Sequence, residues 1–138
     1  MSITAKINIS IAQKMAEKLR RKQLAFKQSM QDARTEIDDR TNSGRDVKGD
    51  TFKKYQKDYK EWRAAKGYRT SPPNLTITGD MLSAMQAETI LTSTGAEGRI
   101  YFVDPFERDK ARGNMVKRKF FGLSKEQLAT IKKQVREA

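Results

Sequence analysis

The chain has 138 residues, enough for one domain, and sets 29 Lys and Arg against 17 Asp and Glu for a net charge of +12. It has no Cys and no His, which excludes disulfides, Cys/His zinc sites, thiol nucleophiles and Ser-His-Asp triads. The longest uninterrupted apolar run, Ile100 to Val103, falls far short of the roughly 20 residues of a membrane span, and no secretory leader is expected at the start.

Residues 2–10 alternate, with Ile3, Ala5, Ile7 and Ile9 on one side, and this predicts a half-buried strand. Ser10 and Gln13 form a capping-box pattern that opens a long helix over about 11–39. Its stripe is Ile11, Met15, Leu19, Phe26, Met30, Ala33 and Ile37, interrupted by the basic run Arg20-Arg21-Lys22. At about 1.5 Å per residue the helix spans about 43 Å, so its stripe either reaches a neighbouring subunit or folds back on its own core. Residues 40–50, with two Gly, an Asn-Ser-Gly step and five charged residues, read as an exposed mobile loop.

A second helix is expected over 51–66, capped by Asp50 or Thr51. Phe52, Tyr55, Tyr59 and Trp62 share a face, with Lys53, Lys54, Lys57, Lys60 and Arg63 around them. Such a face is either a core stripe edged by lysine stems or a surface that stacks nucleic-acid bases. Gly67 ends the helix, and Ser71-Pro72-Pro73-Asn74 is a stiff connector. Asp80 is expected to cap a short helix carrying Met81, Leu82 and Met85. Strands are predicted at 87–93 and 99–103, joined through a Gly-rich turn at 94–98.

Asp104-Pro105 opens a short helix that Gly113-Asn114 should stop. Residues 116–123 form a basic-aromatic, extended segment, and Ser124 to Gln127 repeats the capping box ahead of a last helix. That helix carries Leu128, Ile131 and Val135 on one face, with Lys132, Lys133 and Arg136 near its negative end.

No phosphate loop, dinucleotide fingerprint, metal-ligand spacing or nucleophile elbow is present. Asp38, Asp39, Asp46 and Asp50 could hold a hard cation only against Arg40, Arg45 and Lys48. Lys117-Arg118-Lys119-Phe120-Phe121 is the sharpest local feature. It could clamp phosphates, anchor a subunit contact through its two Phe, or place a Phe in the core beneath solvated bases. The charge is uneven: residues 1–70 hold 18 basic and 9 acidic residues, and residues 71–138 hold 11 and 8. Such a balance either favours anionic partners or a nucleic-acid path, or is the charge of a well-solvated helical surface.

The order of features from about residue 50 onward resembles the phage virion morphogenesis family, the tail-completion and head–tail joining proteins of Mu-like and related tailed phages. Four pieces carry the likeness. They are the aromatic helix with Phe52, Tyr55 and Tyr59; the step Leu75-Thr76-Ile77-Thr78-Gly79-Asp80-Met81-Leu82; a hairpin after it; and Arg118-Lys119-Phe120-Phe121-Gly122-Leu123-Ser124 running into a final helix. The path from Val103 to Arg118 is shorter than in many relatives and lacks their His.

The resemblance implies no enzyme, no cofactor and no metal. It implies a structural virion subunit at the head–tail junction, present in the host cytoplasm during assembly. Such a subunit forms a homo-oligomeric ring of six or twelve copies around the DNA channel. Its partners would be the portal or connector and the tail-tube or tail-terminator proteins, with non-specific contact to genomic DNA and none to membrane.

The expected architecture is therefore a single α+β domain over 1–138, its family-like part being 51–138. A small antiparallel sheet packs with the 51–66 and 125–136 helices, and the long N-terminal helix lies across them. Phe120, Phe121 and Arg118 are expected at subunit contacts. Arg20, Arg21, Lys22, Arg45 and Lys48 are expected on the surface that faces DNA or an acidic partner. The rival reading from another class is a small basic nucleic-acid-binding module.

Overall fold

A computed structural model of the chain describes residues 1–8, 16–75 and 79–138. The fold is α+β. Strand β1 (Ser2–Asn8) is followed by the long helix α1 (Ala16–Asn42) and the short helices α2 (Lys57–Ala65) and α3 (Asp80–Ser83). The hairpin β2 (Met85–Leu91) and β3 (Gly95–Phe102) comes next, then α4 (Pro105–Met115) and α5 (Lys125–Glu137). The sheet order is β1-β3-β2, antiparallel throughout. The first capping box, at Ser10 and Gln13, and the stripe residues Ile11 and Met15 lie outside the described residues, as do Thr76 to Thr78.

The alternation in β1 sets the register. Ile3 sits opposite Ile100, which sits opposite Ala87; Ala5 sits opposite Gly98, which sits opposite Thr89. These rows share the face that α1 covers with Phe26, Met30, Ala33 and Ile37, each at most 2 % exposed. This part of the helix stripe is therefore spent on the chain's own sheet. On the other face Lys6 pairs with Glu97 (3.9 Å) and Arg99 with Glu88 (2.9 Å), each directly across the ladder.

Gly98 is not in the turn where the sequence placed it. The turn falls at 92–95, closed by the Thr92 N–H donating to the Gly95 carbonyl at 3.0 Å, and Gly98 lies within β3. A Cβ at Gly98 would stand 2.7 Å from the Met30 side chain. The glycine serves the close approach of α1 to the sheet, which a sequence pattern cannot separate from a turn glycine.

Polar side chains of α1 tie the other elements to it. The Gln23 amide donates to the Thr92 and Gly95 carbonyls at 2.8 and 2.9 Å, holding the hairpin turn. Arg34 donates to the Met85 and Leu82 carbonyls at 3.1 and 3.0 Å. Lys22 Nζ donates to the Val135 and Arg136 carbonyls at 2.9 and 3.0 Å and to Ala138 O at 3.3 Å, at the carboxyl end of α5. A cation there adds a donor where the helix runs out of its own and complements the helix dipole.

Several boundaries move. Helix α1 runs to Asn42, three residues beyond the sequence expectation. The loop behind it is tightly hydrogen-bonded: Asp46 Oδ1 accepts from the Lys48 and Asp50 N–H groups, both at 2.9 Å, and Val47 N–H donates to the Lys119 carbonyl at 2.9 Å. Helix α2 starts at Lys57 rather than 51, and Phe52 enters the core from an extended segment. Gly79, not Asp80, is the N-cap of α3, and Met85 opens β2 instead of continuing that helix.

Helix α4 continues through Gly113-Asn114 to Met115; its start is as expected, with Asp104 accepting from Phe106 N–H at 2.8 Å ahead of Pro105. Both halves of the Ser124 and Gln127 capping box form. On α5, Ile131 and Val135 are buried, whereas Leu128 is 39 % exposed and Gln127 takes the inner position. The 51–66 helix does not pack on the sheet. Helix α5 packs along α1, and α1 covers the sheet.

Candidate nucleic-acid and partner interface

The basic-aromatic segment 117–121 folds inward. Phe120 is fully buried and Phe121 is 4 % exposed. With Phe102 of β3 they form a ring cluster, centroids 5.0 to 6.4 Å apart. Their rings present no surface to another subunit, so the expected contact through Phe120 and Phe121 is corrected. Burial of large aromatic area in the chain's own core wins over exposure for a partner.

Arg118 is half-buried and also turns inward. Its Nε and Nη2 donate to the Lys53 and Lys54 carbonyls at 2.9 and 3.1 Å, and its guanidinium lies 4.6 Å from the Tyr55 ring centre. It fastens the segment ahead of α2 to the 114–118 stretch.

The five residues expected on a basic surface divide. Arg20, Arg21, Arg45 and Lys48 are exposed. Lys22 is 8 % exposed and committed to the end of α5, so its place on an outward surface is corrected. Arg45 Nη1 donates to the Gly49 carbonyl at 2.9 Å within its own loop.

A groove of about 530 Å³ opens beside that loop, lined by Glu36, Asp39, Arg40, Asp46 and Glu126 among others. Arg40 reaches across its base, donating to Gln127 Oε1 (2.8 Å) and to the Phe120 and Gly122 carbonyls (2.8 and 2.6 Å). Burial lowers its pKa from the ordinary guanidinium value, while Asp46 and Glu36 act in the opposite direction. A guanidinium starts so high that it stays charged. Asp38 is taken by Arg34 (3.2 Å) and Asn42 (2.8 Å), and Asp46 by backbone donors. Among the described residues no cluster of three acidic side chains is arranged to hold a metal ion.

Helix α2 is the element the sequence placed least well. Its aromatic side chains do not form a core stripe: Tyr59 is 40 % and Trp62 45 % exposed. They are built around Arg63, which is 1 % exposed. Its Nε donates to the Arg69 carbonyl at 2.8 Å and its Nη2 to Asn74 Oδ1 at 3.1 Å. The guanidinium lies 4.8, 5.8 and 5.6 Å from the ring centres of Tyr55, Tyr59 and Tyr68. Gly67, at φ +79°, ends the helix with the paired Tyr68-to-Arg63 and Gly67-to-Ala64 bonds of a Schellman turn, which brings Tyr68 back against Trp62.

Arg63 and Tyr68 were missed as organisers of this element. A signal existed: Arg63 follows Tyr59 by four residues and so shares its helical face.

Around this cluster Lys53, Lys54, Lys57, Lys60 and Lys66 are all exposed, as is Lys117 across the groove. None of the ion pairs among the described residues engages these six lysines. Asp58 and Glu61 are the only acidic residues between 52 and 70, against seven basic ones. Among the described residues, no helix is long and apolar enough to cross a membrane. Compared with known protein families, curated proteins and solved structures, the chain matches none.

Proposed function

We propose that this chain is a structural subunit of the neck of a tailed phage or prophage, completing the tail or joining it to the head. It would act by assembling into a ring around the DNA channel, not by catalysis. The reading rests on the resemblance of the 50–138 region. The observation that carries it furthest is that described parts of the four resembling segments lie against one another. Arg118 stacks on Tyr55 of the aromatic segment. Phe120 and Phe121 pack on Phe102 at the end of the hairpin. Asn114, just ahead of the last motif, reaches Met81 of the step before the hairpin, its amide 3.5 Å from the sulfur. The motif residues thus act as the internal framework of one unit, which explains why their order and spacing carry the likeness.

Subunit contacts then fall to other side chains. Val103, just ahead of the N-cap of α4, Phe106 in its first turn and Val116 at its C-cap are 53 %, 67 % and 79 % exposed, and Ile90 and Leu91 stand out at the hairpin. Exposed apolar groups of this size suit burial between subunits.

The test is genetic and structural. Removing the gene from an inducible prophage should leave DNA-filled heads and separate tails in electron micrographs, and the wild-type chain supplied in trans should restore joined particles. Phe106→Asp, an exposed site, should fail to restore them while remaining folded. Normal joined particles from the deletion strain would overturn the reading.

A further inference from the structure

We propose that the outer face of α2, with the groove between it and residues 114–118, is a binding site for single-stranded nucleic acid. The groove measures about 380 Å³ and is lined by Tyr55, Tyr59, Arg63, Asn114, Lys117 and Arg118 with their neighbours. Arg63 is already committed to the Arg69 carbonyl and Asn74, so it fixes the walls, and the exposed lysines supply the attraction.

The choice among anionic partners follows from which groups stand exposed. Lys53, Lys54, Lys57, Lys60, Lys66 and Lys117 are exposed and free of ion pairs among the described residues, so a polyanion gains their full field. An acidic peptide would use those lysines but leave Tyr59 and Trp62 in water. A duplex would use them too, with its bases stacked inside. A single strand alone uses both: its phosphates meet the lysines, and an unpaired base lies on the aromatic surface. That surface is preformed, because Tyr59 and Trp62 are stacked with centroids 5.8 Å apart and planes 20° from parallel.

The site does not depend on the ring. In a neck subunit it would give α2 the role of meeting nucleic acid, in place of the scattered Arg20, Arg21, Arg45 and Lys48.

Trp62 is the only tryptophan in the chain and is stacked, half-exposed, on Tyr59 of the groove, so its emission reports on occupancy of that face. The full-length chain is titrated with oligothymidylate of about 12 nucleotides, within the range one small domain covers. A duplex of the same length and poly-glutamate serve as comparisons, each at two salt concentrations. Quenching of Trp62 by oligothymidylate, weakened by salt, is expected, with duplex and poly-glutamate at least about fivefold weaker.

Lys57→Glu with Lys60→Glu should weaken binding by at least about tenfold and flatten the salt dependence by about 1.4 in log–log slope, the share of two single-strand phosphate contacts. Tyr59→Ala should weaken the single strand by about fivefold or more without a matching loss for duplex. Arg20→Glu with Arg21→Glu should change little.

No quenching by oligothymidylate at low salt overturns the proposal. So does equal binding of poly-glutamate, which would assign the face to an acidic protein, or of duplex, which would leave only backbone attraction. Equal losses from the α1 and α2 charge reversals would mean diffuse charge and overturn the site as well. None of these outcomes bears on ring formation, which is read separately by native mass without nucleic acid.

Discussion

Two regions of this molecule use the same kinds of side chain to opposite ends. In the first, Phe102, Phe120 and Phe121 meet in a dry cluster under the sheet, and Arg118 and Arg40 serve the backbone around it. In the second, Tyr55, Tyr59 and Tyr68 surround the guanidinium of Arg63, and Tyr59 and Trp62 remain in solvent. The difference lies in the tyrosine and tryptophan polar ends and in the cation. A ring with a polar tip can pack beside a buried charge and still be half wet, whereas a phenylalanine gains only by leaving water. Rigid framework and receptive surface are thus separated within one small chain.

The largest effect expected from breaking this contrast is on the framework. Phe120→Ala should destabilise the fold by about 3–5 kcal/mol, a large part of the roughly 5–15 kcal/mol such domains have. Urea unfolding followed by circular dichroism measures it. The loss should fall on the isolated chain. If stability were unchanged and only association suffered, Phe120 would be a contact residue after all, and the inward packing would be wrong.

The second region, around α2, should fail differently. Arg63→Met removes the charge at the centre of the α2 cluster and its hydrogen bonds to the Arg69 carbonyl and Asn74. Hydrogen bonds to a charged group contribute about 1.5–3 kcal/mol each, so the loss of two should ease local opening of α2 by about 3–6 kcal/mol. The core should keep its unfolding midpoint. Amide exchange separates the cases: faster exchange confined to residues 57–68 supports a second region with its own small core. Equal acceleration in α1 and β3 would mean that the two regions are one cooperative unit.

Much of the framework could be read from local pattern. The alternation of Ile3, Ala5 and Ile7, the stripe of Phe26, Met30, Ala33 and Ile37, and the caps at Asp104 and Ser124 each rest on residues close in sequence. What could not be read depends on partners far away. Lys22 looks like any member of a basic run, and its acceptors lie 113 to 116 residues later. Gly98 looks like turn punctuation until Met30 is seen against it.

The aromatic face of α2 fits a buried stripe as well as an exposed one. The choice turns on Phe52, which leaves the helix for the core and takes with it the only ring of the four without a polar atom. The same holds for positive charge: Lys22, expected on the basic surface, donates instead to backbone carbonyls of its own fold, as do Arg34, Arg40, Arg63 and Arg118.

Lys22 gives a smaller and more specific test of the framework. Lys22→Ala removes the donor shared by three carbonyls at the end of α5, at a cost of about 1–2 kcal/mol. The loss should appear first as fraying of residues 132–138 in amide exchange. Lys22→Arg should recover part of it, because a guanidinium can still donate to those carbonyls, whereas Lys22→Gln should recover less. Equal behaviour of all three variants would show that the stem of Lys22 matters and its charge does not.

The smallest effect belongs to the outer face of the sheet, which meets neither region. Arg99 and Glu88 face each other across the ladder at 2.9 Å, yet their side chains are 48 % and 44 % exposed. Solvent screens such a pair, and its coupling should not exceed about 1 kcal/mol. A double-mutant cycle with Arg99→Gln and Glu88→Gln measures it, and added salt should shrink it further. Arg99 also lies 4.1 Å from the Tyr101 ring centre, so Arg99→Gln should cost more than Glu88→Gln, and the difference should survive high salt because ring contact is less screened than the ion pair. If the coupling exceeded this range, the face would not be the solvated surface its exposure indicates. It would then be held in a setting of lower dielectric, as between copies of the chain, and the contacts of the proposed ring would have to be sought on the sheet instead of around α4.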